Sequence, residues 1–152
     1  MAKEIKYGHI RGGEQGFPIT VTATQAILAR SSKFIKRAGT GTGTGTLIAD
    51  ANTDVLGHLE TEELNSSDGT EVRKCINDPS AIYRVPVIAG TFVVAMRGKK
   101  CDIVISSAVQ GAALNSATYG QLIVIDGDDV DSNWVDVKIN QYVAGANLVG
   151  VV

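Results

Sequence analysis

Short runs of valine, isoleucine and threonine, separated by glycine, asparagine and aspartate, recur along most of this chain and limit what it can fold into. Such runs are too short for stable helices but have the usual length of strands, roughly four to eight residues. They predict an all-β fold, a small β-barrel, β-tulip or sandwich with eight or more strands. The expected strands lie at residues 18–22, 47–49, 55–59, 72–76, 82–88, 91–96, 102–106, 121–125, 134–139 and 148–152.

The first 17 residues show neither the helical nor the alternating pattern. They are polar and rich in glycine, so we expect an extended N-terminal arm that a partner orders. Pro18 then opens an alternating run that suits an edge strand, because proline cannot donate a ladder hydrogen bond. A chain of 152 residues fits one domain. We therefore expect an arm at residues 1–17 and a single β-rich domain at residues 18–152.

The patterns of two segments fit more than one kind of secondary structure. Residues 24–37 combine small and apolar side chains, which predict a helical turn followed by a strand. Residues 39–46 are four consecutive Gly-Thr dipeptides. If this tract is extended, all its glycines share one face, which another chain can approach closely. The alternative is a flexible low-complexity loop, and both structures place the tract at the surface.

Charge is unevenly distributed along the chain. Residues 1–37 carry seven basic and two acidic side chains, a net charge of +5, whereas residues 38–152 carry seven basic and fourteen acidic ones, a net charge of −7. A net negative chain with few aromatic residues near its basic end is a poor nucleic-acid binder, so we expect no nucleic acid. An acidic protein surface is the expected partner of the basic end.

The sequence contains no recognisable metal or cofactor motif. Cys75 and Cys101 belong to no C-x-x-C pair, and we expect both to be buried and reduced. Four aspartates, at positions 126, 128, 129 and 131, have the oxygen chemistry that calcium prefers, but their spacing is not that of an EF-hand. The alternative is a solvated acidic hairpin loop. We expect no cofactor and no metal.

No catalytic group stands out either. His9 lies in the expected arm, and His58 is interpreted as a surface or partly buried strand residue. Glu60, Glu62 and Glu63 have the chemistry of general acids and bases, but an exposed acidic loop explains them equally. The glycine-rich segments match neither the dinucleotide-binding nor the P-loop pattern. We therefore expect a protein that is not an enzyme.

The C-terminal two-thirds contains the segments 83–87 (YRVPV), 98–103 (GKKCDI), 109–111 (VQG), 120–127 (GQLIVIDG), 135–140 (VDVKIN) and 150–152 (GVV). In these segments the chain resembles the small β-rich decoration (cement) and minor head proteins of tailed bacteriophages. This resemblance implies a β-barrel or β-tulip body, a homotrimer or dimer at capsid symmetry positions, and an arm that clasps the major capsid protein.

The expected function is therefore that of a virion structural protein that binds and stabilises the shell. The short apolar stretches and the lack of a secretory signal predict no membrane association. The resemblance implies a location on the capsid surface after assembly in the host cytoplasm. The alternatives are a carbohydrate- or receptor-binding β-module and, third, a hydrolase. The expected capsid-binding residues of the arm are Lys3, Lys6, Tyr7, Arg11 and Phe17.

Overall fold

A computed structural model describes residues 5–22, 25–37, 43–49, 55–61, 64–66 and 69–141. These residues form thirteen strands and one short 3-10 helix, Val94–Met96. The expectation of an all-β fold is confirmed. The strands are β1 Gly8–Arg11, β2 Gly16–Val21, β3 Gln25–Ile27, β4 Phe34–Arg37, β5 Thr44–Leu47, β6 Gly57–Glu60, β7 Leu64–Ser66, β8 Val72–Ile76, β9 Ile82–Ala89, β10 Lys100–Ser106, β11 Val109–Ala113, β12 Leu122–Gly127 and β13 Trp134–Ile139.

The N-terminal half contains a closed five-stranded barrel in the order β2-β5-β4-β6-β8. Strand β5 holds the described end of the Gly-Thr tract, and Gly45 there is buried. A Cβ at Gly45 would lie 2.7 Å from Ile35 Cδ1 and 3.0 Å from Ile19 Cδ1. The glycine face is therefore approached by this chain's own core, and the expectation that the whole tract lies at the surface is wrong at Gly45. The barrel core consists of Ile19, Val21, Ile35, Leu59 and Cys75.

The C-terminal half is a sheet in the order β1-β9-β11-β10-β12-β13, which returns upon itself because β9 also pairs with β13. The eight residues of β9 make this arrangement possible. Near its start, Arg84 lies between Gly8 of β1 and Asp136 of β13. Near its end, Val87 pairs with Ala112 of β11. One long strand therefore organises the second half and anchors β1.

The two halves share one hydrophobic core. Phe34 and Ile76 of the first barrel belong to the same buried cluster as Tyr83, Ile103 and Leu122 of the second sheet. Burial of such side chains contributes roughly 1.5–3 kcal/mol each. The halves are therefore expected to unfold together.

Several local predictions were wrong. Gln25–Ile27 is a strand paired with β7 where a helical turn was expected, because tertiary pairing overrides a weak local preference. The strand expected at 91–96 is instead an extended segment followed by the 3-10 helix. Pro18 lies inside β2 opposite Lys74 of β8, and at Thr20 the strand pairs with both β5 and β8, so β2 is an internal strand at Thr20. The strand expected at 148–152 lies outside the described residues.

The expected N-terminal arm also differs from the structure. Gly8–Arg11 pairs antiparallel with β9, and Gly16 and Phe17 already belong to β2. Backbone pairing needs no apolar side chains, and Gly8 and Gly12, with φ of 101° and 83°, supply conformations that other residues rarely adopt. The segment is extended, and from Gly8 onward its strands pair with other strands of the described fold.

Candidate binding groove

Residues 5–7, which precede β1, line two cavities of about 350 and 380 Å³. Lys6, Tyr7 and Thr61 line both cavities, which together form one depression, named here the N-terminal groove. Burial raises the pKa of Tyr7. The other charged or titratable residues of the groove are Arg30 and Lys33 in the first cavity, and His9, His58 and Glu60 in the second.

Among the described residues that line the groove, basic side chains outnumber acidic ones. Lys6 and Arg30 are exposed, and none of the described residues that line the first cavity is acidic. Lys33 is 2% exposed, and its ammonium donates to the Ser31 carbonyl oxygen at 2.8 Å. Glu60, in the second cavity, is exposed and lies 3.9 Å from the Lys74 ammonium. An anionic ligand would therefore be attracted to this groove.

A cluster of aromatic rings supports the groove from beneath. The Tyr83 ring stacks on His58, with centroids 4.6 Å apart and planes at 26°. Phe34 meets both rings edge-on, at 5.3 Å from Tyr83 and 4.8 Å from His58. His9 of β1 meets Tyr83 edge-on at 5.9 Å. Such pairs add roughly 0.5–1.5 kcal/mol each beyond their burial, so the imidazoles are held firmly.

The hydrogen bonding of two imidazole nitrogens in the groove is incomplete. His58 Nε2 accepts from the Lys33 backbone N–H at 3.0 Å, so the neutral ring carries its proton on Nδ1. That Nδ1 atom and His9 Nε2 are both buried, and among the described residues neither makes a hydrogen bond of standard geometry, although a backbone hydrogen bond with Leu59 acts on His58. An unpaired buried polar group costs roughly 1–3 kcal/mol. Both atoms are therefore unusual features that a bound ligand could satisfy.

The structure predicts that acid destabilises the protein through His58. Burial, followed by the charge of Lys33, holds the pKa of His58 well below its ordinary value. The unfolded chain takes up a proton near pH 6.5 and the folded chain does not, so stability falls as pH decreases below that value. The free energy of unfolding should fall by about 1.4 kcal/mol per pH unit at most, measured by urea titrations from pH 7 to pH 5.

His58→Gln is the matched control for this prediction. A glutamine can still accept from the Lys33 N–H but does not titrate. Asp126 and Asp128, whose pKa values are lowered by hydrogen bonds from Arg97 and from the Asn133 backbone respectively, lose their contribution only at more acidic pH. In the variant, the free energy of unfolding should therefore not fall between pH 7 and pH 5. Equal slopes in both proteins would contradict the assignment to His58.

The structure places the five expected arm residues in different surroundings. Lys6 and Tyr7 line the groove, whereas Lys3 lies outside the described residues. Arg11 is exposed at the end of β1 and does not line the groove. Phe17 is partly buried and packs on the core of the first barrel. Of the four expected arm residues that the structure describes, Lys6 and Tyr7 line the groove together.

Sequence reasoning missed Arg30, Lys33 and His58 as groove residues. The expectation that His58 is a surface or partly buried residue is wrong, because it is 1% exposed. Its burial depends on Tyr83 and Phe34, which are distant in sequence. The sequence signal that points to Arg30 and Lys33 is the basic composition of residues 30–37.

The acidic loop after β12 is held together by its own hydrogen bonds. The Asp128 carboxylate accepts from the backbone N–H groups of Val130, Asp131 and Asn133. Asp126 accepts from the Arg97 guanidinium at 2.9 Å. In the described part of the chain, no three His, Cys, Asp or Glu side chains are grouped so that they could hold a metal ion.

The other groups considered for chemistry are also buried or engaged. Cys75 and Cys101 are free and buried, as expected, and burial raises the pKa of each thiol to about 12. Such thiols carry almost no reactive thiolate near neutral pH. Glu62 and Glu63 lie outside the described residues.

Comparisons with known protein families, curated proteins and solved structures found no match to this chain. Among the described residues, no helix has the length and apolar character needed to cross a membrane. The function proposed below therefore depends on this chain's own fold and surface.

Proposed function

We propose that this chain is a non-enzymatic structural protein of a tailed-phage virion, a decoration (cement) subunit that binds and stabilises the shell of the major capsid protein. The observation that carries the proposal is that side chains capable of chemistry are used to hold the backbone in place. In the described residues, Asp102, Asp128 and His58 each accept backbone hydrogen bonds that shape the fold. Those side chains therefore serve a rigid body, which suits binding better than catalysis.

The shape of the fold also supports a binding role. Two five-stranded closed arrangements are joined by a shared buried cluster, with β1 at an edge of the second sheet. An edge strand offers backbone groups to a partner strand. Virion localisation and contact with the major capsid protein are part of this proposal.

A homotrimer, or a dimer, is the proposed assembly on the shell. Small residues permit close approach between chains, but those at Gly111, Ala112 and Ala113 do not support the assembly, because a Cβ at Gly111 would lie 2.3 Å from the Pro86 carbonyl oxygen. This close approach is within one subunit. The similar stretch at 144–146 lies outside the described residues.

The alternative, a carbohydrate- or receptor-binding module, has less support. Sugar binding usually uses an open aromatic face. Trp134 is the chain's one tryptophan, and the Arg84 guanidinium carbon lies 3.8 Å from its ring centroid. One face of that ring is therefore occupied by a side chain that also pairs with Asp136 at 2.8 Å.

Co-sedimentation tests the proposed function. Purified protein is mixed with empty shells assembled from the major capsid protein of the same virion, and the pelleted amount is measured against protein concentration. We expect saturable binding at a fixed ratio to capsid subunits. The absence of binding at micromolar concentration, with a correctly folded protein, would contradict the proposal.

A further inference from the structure

We propose that the N-terminal groove binds an acidic peptide segment of the partner protein, with carboxylates that pair with Lys6 and Arg30 and lie beside the imidazoles of His9 and His58. This inference rests on the proposed function for the partner's identity, because it names the chemistry by which the shell protein would be held. The groove itself stands on observations of this chain alone.

The first step concerns charge. Lys6 and Arg30 both line the first cavity and are exposed, one before β1 and the other in the turn before β4. Lys33 adds a third positive charge at low exposure, where screening by solvent is weak. Cations brought together from separate parts of the chain favour an anionic occupant.

The second step concerns hydrogen bonding. Among the described residues, His9 Nε2 is buried without a hydrogen-bond partner, and His58 Nδ1 has no partner beyond a backbone hydrogen bond with Leu59. Both side chains line the second cavity, which continues from the first through Lys6, Tyr7 and Thr61. An ionised carboxylate only accepts hydrogen bonds, so it suits the His58 Nδ1–H donor, and it suits His9 when Nε2 is protonated.

The third step concerns the size of the occupant. The two cavities have volumes of about 350 and 380 Å³, and each is larger than one small anion requires. Charged residues line one cavity and imidazoles the other, so a single segment with several carboxylates satisfies both. A peptide also fits the open edge of β1, along which an extended chain can lie.

A peptide titration tests the groove directly. Hexaglutamate is titrated into the full-length protein labelled with nitrogen-15, and hexaglutamine serves as the uncharged control peptide. We expect hexaglutamate alone to bind and to shift the imidazole resonances of His9 and His58. Failure to shift either imidazole would overturn the proposal, as would acetate binding as tightly as hexaglutamate, which would indicate a small-anion site.

Paired variants separate the groove from general attraction between charges. Lys6→Gln with Arg30→Gln should weaken hexaglutamate binding about tenfold or more, since two contacts between opposite charges are lost. Lys99→Gln with Lys100→Gln removes the same charge from another exposed turn and should change binding less than about twofold. Melting temperatures confirm that both variants fold. Equal weakening in the two variants would overturn the proposal.

Shell co-sedimentation with the same variants distinguishes this inference from the proposed function. Loss of shell binding in Lys6→Gln with Arg30→Gln, but not in the lysine control, supports both. Full shell binding by the groove variant would overturn the groove as the shell contact while the decoration function stands. Hexaglutamate binding without any shell binding by the natural protein would support the groove and overturn the decoration function.

Discussion

Replacing Gln110 with leucine is expected to lower the free energy of unfolding by roughly 3–6 kcal/mol. The Gln110 side chain is fully buried where β11 meets the first barrel. Its Oε1 accepts from Ser32 Oγ and the Phe34 N–H, both at 2.8 Å. Its Nε2 donates to the carbonyl oxygens of Phe34 and Ile48, at 2.9 and 2.8 Å. A leucine of similar size would leave all four buried groups without this partner.

Guanidinium unfolding curves measure this effect, with Gln15→Leu as the matched control at an exposed position. The control should change stability by less than about 0.5 kcal/mol. Because Gln110 bridges the two halves, its replacement should also favour unfolding of the two halves in separate transitions. A Gln110→Leu protein within about 1 kcal/mol of the natural chain would contradict the bridging role.

Replacing Asp102 with alanine should lower the free energy of unfolding by roughly 3–4 kcal/mol. This carboxylate organises the loop between β11 and β12 and is 4% exposed. Its Oδ1 accepts from the N–H groups of Tyr119 and Gly120 at 3.0 and 2.7 Å. Its Oδ2 accepts from Ser116 Oγ at 2.6 Å and the Thr118 N–H at 3.0 Å. Hydrogen bonds to a charged acceptor are stronger than neutral ones.

Asp128→Ala is the matched comparison, because Asp128 binds three backbone N–H groups of its own loop in the same manner. That loop is exposed, so water replaces the lost acceptor and the cost should be only about 1 kcal/mol. Thermal or urea unfolding of the two variants gives the difference. Equal losses of stability in the two variants would contradict the claim that burial makes the Asp102 hydrogen bonds more important than those of Asp128.

Much of the fold was predictable from the sequence because its strands alternate clearly. Trp134–Ile139 was predicted with the bounds that the structure gives, and Val72–Ile76 likewise. Strands β1 and β11 were not predicted. β1 lacks an apolar pattern, and β11, with the sequence VQGAA, is buried on both faces, so it shows no alternation. Their pairing depends on β9, which only the tertiary structure places beside them.

The groove was predictable only in part. The basic character of the N-terminal segment predicted Lys6 and its neighbour Tyr7 as binding residues. The contribution of His58 could not be predicted, since it requires Tyr83 to stack on the ring from 25 positions away in sequence. Gln110 was missed for the same reason: its partners Phe34 and Ile48 are 76 and 62 positions distant.

A cryo-electron microscopy reconstruction of shells incubated with this protein tests the central claim most directly. The account predicts additional density on the outer surface at symmetry-related positions, with the two closed β arrangements resolved and the N-terminal groove facing an acidic segment of the shell. Shells incubated with Lys6→Gln and Arg30→Gln protein should lack that density. Undecorated shells at saturating concentrations of the natural protein would contradict the claim that this chain is a decoration subunit.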